Sequence, residues 1–156
     1  MKTYSQLVEE CLPLIKEVLP WDLEERLAQN IKPPILLDVR ETDEFNAMHI
    51  RNSINVPRGI LEGACDYGYE ETVPALAAAR DEEVVVICRS GRRSALAALV
   101  MQHMGYTQVS SLKTGIRGWF EYDQPMVDQN NKAVDEDAAE DFFTPRVAPE
   151  QMPPAN

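Results

Sequence analysis

EEVVVICRSGRRSALAALVMQHMG, residues 82–105, is the stretch that sets the fold of this chain. Val84, Val85, Val86 and Ile87 are β-branched and apolar at consecutive positions, so a strand built from them is covered on both faces, as in the centre of a parallel sheet. From Arg93 onward, alanine and leucine predict a long helix that ends at Gly105, a residue suited to the left-handed C-terminal cap. Between strand and helix lie Cys88, Arg89, Ser90, Gly91 and Arg92. Strand, turn and helix in this order form the unit of an α/β fold, and ligands in such folds bind beyond the carboxyl ends of the strands. Cys88 occupies that position.

Working outward, the same alternation recurs. Residues 15–18 suggest a short edge strand, and Pro20 opens a helix that places Leu23 and Leu27 on one face. Residues 33–40, "PPILLDVR", predict a buried strand that delivers Asp38 and Arg40 at its end. Thr42 or Asp43 is expected to cap a short helix that buries Phe45 and Met48. "SINVP" (53–57) gives another brief strand, 57–70 a helical turn and a loop, 71–80 a helix, and 106–112 a last strand before a loop with a short helix. Residues 15–127 therefore constitute the expected α/β domain. Residues 1–14 precede it as a helical extension whose Tyr4, Leu7, Val8 and Cys11 fall at helical spacing. Residues 128–156 are acidic and proline-rich with too little apolar content for a core of their own. This extension is expected to be disordered or draped over the domain, with Phe142 and Phe143 as anchors and with its removal leaving turnover nearly unchanged.

The chain has 156 residues and a formal net charge of -11, which argues against nucleic-acid or anionic-membrane partners and makes any anion site local. Its first residues carry glutamates where a signal peptide needs an apolar run, and no stretch is long enough to span a bilayer, so a cytoplasmic location is expected. Three cysteines at unrelated spacings suit neither a disulfide framework nor a zinc site, and no cofactor is implied. His49 and His103 lack a metal-ligand pattern and read as structural.

A thiol is a useful nucleophile only as a thiolate, which helix N-terminal amides and nearby arginines favour. The 88–94 loop offers both. Ser90 and Gly91 permit a curl whose backbone N–H groups point at the sulfur, and Arg89, Arg92 and Arg93 supply positive charge. Cys11 reads as packing on its helix. Cys65 lies in a glycine-bearing loop where the sequence leaves it free to be exposed, even near the site, with no cation supplied by its sequence neighbours.

Four segments in order, "LLDVRETDEF" (36–45), "HIRNSINVP" (49–57), "CRSGRRS" (88–94) and "LKTGIRGW" (112–119), resemble the rhodanese-like single-domain sulfurtransferases over about residues 15–127. The resemblance implies a three-layer α/β domain with a central, mainly parallel sheet and helices on both faces. It implies that Cys88 carries a persulfide, formed from thiosulfate or a related donor and passed to a thiol, cyanide or sulfur-carrier protein. Backbone amides from Arg89 through Ser90, Gly91, Arg92 and Arg93 to Ser94 would cradle the outer sulfur, and one of the three arginines, not identifiable at this stage, would attract the donor's sulfonate. Arg89 directly after the cysteine favours thiosulfate within the family. Asp38, Arg40 and Glu44 match its strand motif and are expected to hold neighbouring loops by paired charges. Trp119 is expected to be a packing anchor. The chain departs from the family pattern at Met48 and Thr114, where glycine is usual.

Two other functions compete. A phosphatase or arsenate reductase also uses a cysteine in an anion-cradling loop, but its Cys-x5-Arg spacing meets Ser94 here, with Arg93 one residue early. The second is a regulatory or sulfur-relay module without turnover of its own.

Overall fold

Thr3 opens the first helix, α1 (Tyr4–Cys11): its hydroxyl accepts from the Gln6 amide while the Gln6 side chain accepts from the Thr3 amide. In this computed structural model, which describes residues 1–155, a 3-10 turn over Leu12–Leu14 leads from α1 into β1 (Lys16–Val18). Then come α2 (Pro20–Ala28), β2 (Ile35–Asp38), α3 (Thr42–Ala47), β3 (Ile54–Asn55), α4 (Leu61–Ala64), α5 (Pro74–Ala77), β4 (Glu83–Ile87), α6 (Arg92–His103), β5 (Gln108–Leu112), α7 (Gly115–Glu121) and α8 (Glu136–Phe143). The strands pair in the order β1-β5-β4-β2-β3, and every pair is parallel.

β4 is central, as its uninterrupted apolar run requires. Its residues alternate between two cores. Val84, Val86 and Cys88 face a layer that contains Leu61, Ala64 and Leu76 of the short helices and Ala97, Ala98 and Met101 of α6. Val85 and Ile87 face Leu23 of α2, Ile116 and Trp119 of α7, and Ala139 and Phe143 of α8. The architecture is thus a three-layer α/β sandwich. No described helix is long and apolar enough to cross a membrane.

Several local expectations change. α1 rests on α6, where only a narrow stripe of its expected apolar face, Val8 and Cys11, is buried against Ala95, while Tyr4 and Leu7 remain 49% and 46% exposed. Neither Thr42 nor Asp43 caps α3: the residue before its first turn is Glu41, in extended backbone, and the Glu44 carboxylate reaches back to accept from the Glu41 amide at 3.0 Å. The helix expected over 71–80 shrinks to Pro74–Ala77, because Val73 is held extended ahead of the proline. The extension is draped over the domain through α8, with Asp135 capping that helix and Phe143 buried in the second core.

Candidate active site

β4 ends at Ile87, and its carbonyl accepts from the Val39 amide, which ties the β2 end to the base of the cysteine loop. The chain then curls. Gly91 adopts φ 90°, left-handed backbone open to glycine, and a Cβ there would lie 3.1 Å from the Thr114 nitrogen. The curl turns the Gly91 N–H onto Cys88 Sγ at 3.1 Å. Cys88 Sγ also shares a hydrogen bond with Ser94 Oγ at 3.2 Å, and Ser94 Oγ shares another with Ser111 Oγ of β5 at 2.7 Å. α6 starts at Arg92, so its N-terminal amides and dipole lie at the loop.

The turn before α7 closes the floor. The Ile116 and Arg117 amides donate to the Cys88 and Arg89 carbonyls at 2.8 and 3.1 Å. Gly115, at φ 63°, is indispensable to this approach, since a Cβ would come within 2.5 Å of both carbonyl oxygens.

The three arginines diverge. Arg93 makes a two-pronged ion pair with Glu44, Nη1 to Oε2 at 2.8 Å and Nη2 to Oε1 at 2.9 Å. Burial tends to raise the Glu44 carboxyl, but the hydrogen bonds and charge of Arg93, aided by the Glu41 amide and Arg40, outweigh it and hold Glu44 below the usual carboxylate range. Arg89 Nη2 donates to the Phe143 carbonyl at 2.9 Å, and its guanidinium lies 5.8 Å from the Phe143 ring centroid. Arg92 Nη1 donates to Ser5 Oγ at 3.1 Å, with its guanidinium 5.6 Å from the Tyr4 ring centroid.

Tyr4 therefore belongs to the rim of the site. Burial raises its phenol's pKa and the Cys88 charge adds to that, while Arg93 and Arg92 act in the opposite sense.

Asp38 and Arg40 form a buried pair beside the loop. Arg40 Nε lies 3.0 and 3.1 Å from the two Asp38 oxygens, Nη2 reaches Oδ2 at 2.8 Å, and Nη2 also donates to the Met48 carbonyl at 2.7 Å. Arg40 Nη1 is buried without a hydrogen-bond partner among the described residues. Breaking such a pair by neutralising one member costs about 3–5 kcal/mol, because it strands a buried charge. The pair holds the β2 end, and Asn55 Nδ2 fastens the same turn through the Asp38 and Arg40 carbonyls at 3.1 and 3.0 Å.

The other singled-out residues are structural. Trp119 is buried, with Nε1 donating to the Pro125 carbonyl at 3.1 Å. His49 stacks on Phe45 at 3.8 Å between ring centroids. Cys11 Sγ donates to the Ala95 carbonyl at 3.2 Å. Cys65 corrects the sequence reading: it is fully buried rather than exposed, and Arg80, which donates to the Cys65 carbonyl at 2.7 Å, does bring a cation near it. Burial nonetheless pushes the Cys65 thiol up, against the opposing influence of Tyr106 and Arg80.

The chain is similar to known proteins over most of the α/β domain. The family described as Rhodanese-like domain matches residues 21–122. A Schizosaccharomyces pombe protein named "Putative thiosulfate sulfurtransferase, mitochondrial" is 37% identical over 94 residues, covering 58% of this chain and 64% of that protein. The chain spans smaller shares still of other curated relatives it matches. Among solved structures, a Rhodopseudomonas palustris protein of unknown function, described as a "possible tyrosine phosphatase", superposes with a TM-score of 0.70 at 25% identity, covering 81% of this chain and 95% of that one. A rhodanese-related protein from Thermoplasma volcanium gives a TM-score of 0.57 at 29% identity, covering 72% of this chain and 97% of that one.

Proposed function

The chain belongs to the rhodanese-like domain family, and from that premise we propose that it is a sulfurtransferase carrying sulfane sulfur as a persulfide on Cys88. The observation that carries the reading is the convergence of the Gly91 N–H and the Ser94 hydroxyl on one buried sulfur, at 3.1 and 3.2 Å. Both groups donate to a thiolate, which is the reactive form.

With thiosulfate as donor, the Cys88 thiolate attacks the sulfane sulfur. The Cys88 S–S bond forms, the donor S–S bond breaks, and sulfite leaves with the bonding pair. An acceptor thiolate, on a small thiol or a sulfur-carrier protein, or cyanide then attacks the outer sulfur, and Cys88 departs as thiolate. Backbone amides of Arg89–Ser94 and the α6 dipole stabilise the charge on the outer sulfur.

Arg92 is the arginine we assign to the donor's sulfonate. Arg93 is neutralised by Glu44 and Arg89 is held by the Phe143 carbonyl, whereas Arg92 has only the Ser5 hydroxyl and the Tyr4 ring as partners among the described residues. Three free thiols fit a reducing compartment, and we place the protein in the cytoplasm.

A phosphatase loop needs an arginine where Ser94 stands, and here Ser94 instead places its hydroxyl oxygen 3.2 Å from Cys88 Sγ. Intact-mass measurement after thiosulfate treatment tests the proposal. The expected result is a gain of one sulfur atom, lost with dithiothreitol and absent in Cys88→Ser. Hydrolysis of an aryl phosphate with no sulfur adduct from thiosulfate or polysulfide would overturn it.

A further inference from the structure

Cys88 Sγ, Ser94 Oγ and Ser111 Oγ form a chain with links of 3.2 and 2.7 Å. Ser94 and Ser111 are both 0% exposed, so neither hydroxyl turns to bulk water. Ser111 comes from β5, and its side chain has no other hydrogen-bond partner among the described residues. The chain has two links. When Cys88 is a thiol, its proton and two hydroxyl protons compete for them, and one proton is left over. When Cys88 is a thiolate, the two hydroxyl protons fill both links in a single direction, from Ser111 to Ser94 to sulfur. A leftover buried donor is unfavourable, and a hydrogen bond to a charged acceptor is stronger than one to a neutral acceptor.

We propose that Ser111 is a positioning residue for sulfur transfer: by donating to Ser94 Oγ it turns the Ser94 hydroxyl onto Cys88 and favours the thiolate. The inference rests on Cys88 being the sulfur carrier. The same direction serves the persulfide, whose inner sulfur still accepts from Ser94, so the chain keeps one orientation through both half-reactions. The other charged and titratable groups around Cys88 are Arg93 of α6 with Glu44 of α3, Arg89 and Arg92 of the loop segment, Tyr4 of α1, and the Asp38–Arg40 pair beyond β2. Substitution at Ser111 removes none of them.

The test is the pH profile of Cys88 alkylation by iodoacetamide, read peptide by peptide in the full-length protein by mass spectrometry. In Ser111→Ala the half-maximal point moves to higher pH and the rate at pH 7 falls about fivefold, as expected for one lost hydrogen bond. Ser111→Thr and Ser111→Val share a shape, and only Val lacks the hydroxyl. The Val profile therefore shifts while the Thr profile follows the wild type, which settles the matter even if the alanine variant unfolds. In a Ser94→Ala background, Ser111→Ala adds no further shift. Superimposable wild-type, Ala and Val profiles would overturn the role of Ser111. Sulfur loading from thiosulfate, measured separately by intact mass, distinguishes the two claims. Loading without a profile shift removes only the role of Ser111, and a shift without loading removes only sulfur transfer.

Discussion

Arg89 Nη2 donates to the Phe143 carbonyl at 2.9 Å, so the residue that follows the nucleophile is fastened to the C-terminal extension. The Phe143 carbonyl is one of the unpaired acceptors at the end of α8, and an arginine there meets both the free acceptor and the negative end of the helix dipole. A cation that the sequence offers to substrate is thereby engaged by the protein itself.

Removing residues 128–156 is therefore not neutral. Phe143 and Ala139 are buried in the same core as Trp119 and Ile116, and their loss uncovers that face. Phe143→Ala is expected to cost about 3 kcal/mol, read as a lower urea midpoint, and to slow persulfide formation as Arg89 loses the ring beside its guanidinium, the backbone carbonyl at 143 being retained. An unshifted midpoint in both the truncated protein and Phe143→Ala would mean that α8 does not pack as described.

Arg92→Ala should raise the KM for thiosulfate about tenfold, the weight of one charge-assisted contact to an anionic donor, with little change in kcat. Loading from polysulfide, which has no sulfonate, should change far less. Equal losses with both donors would assign Arg92 to loop shape instead of donor recognition.

Glu44 gives the fold an acid-sensitive link to the loop. Its carboxyl is held below the usual range in the folded state, so its contribution is present in full above the unfolded carboxylate value of about 4.3 and disappears as pH falls through the folded value. Glu44→Gln keeps a side-chain oxygen to accept from the Glu41 amide and removes the charge. At pH 7 the variant should be less stable by about 1 kcal/mol, modest because the pair is partly exposed, and the two stability curves should converge as pH falls through the lowered Glu44 value. Parallel curves down to low pH would exclude the ion pair as the cause.

The β4-to-α6 unit was legible because its two signals are local: a strand apolar on both faces, and three arginines crowded behind a cysteine. The family resemblance led to paired charges at Asp38, Arg40 and Glu44 without saying which pairs with which; the fold joins Asp38 to Arg40 and Glu44 to Arg93. Ser111 was not. A serine in "YTQVSSL" reads as an ordinary strand residue, and only the β4–β5 pairing, with Val86 beside Ser111, carries it under the cysteine loop. Tyr4 and Phe143 reach the loop from opposite ends of the chain, a proximity that no periodicity encodes. Cys65 was misread because its neighbouring cation, Arg80, is fifteen residues away in sequence.

Thr114 holds left-handed backbone beside the active-site loop. It adopts φ 65°, a conformation that costs a β-branched residue about 1–2 kcal/mol, and it stands where the turn meets the Cys88 and Arg89 carbonyls. A Cβ placed on Gly118 would lie 1.7 Å from Thr114 Oγ1 and 2.5 Å from its Cβ. In an open helix, glycine to alanine stabilises by about 1 kcal/mol. Here Gly118→Ala should destabilise instead, and it should slow sulfur loading because the displaced turn carries the floor of the site. Thr114→Gly removes both the obstructing side chain and the backbone strain, at some cost from the freer unfolded chain, so alone it should be nearly neutral. Combined, Thr114→Gly and Gly118→Ala should recover most of the lost stability, with a coupling above about 1 kcal/mol in a urea-unfolding cycle of the four proteins. Additive effects would show that the two residues do not share this space.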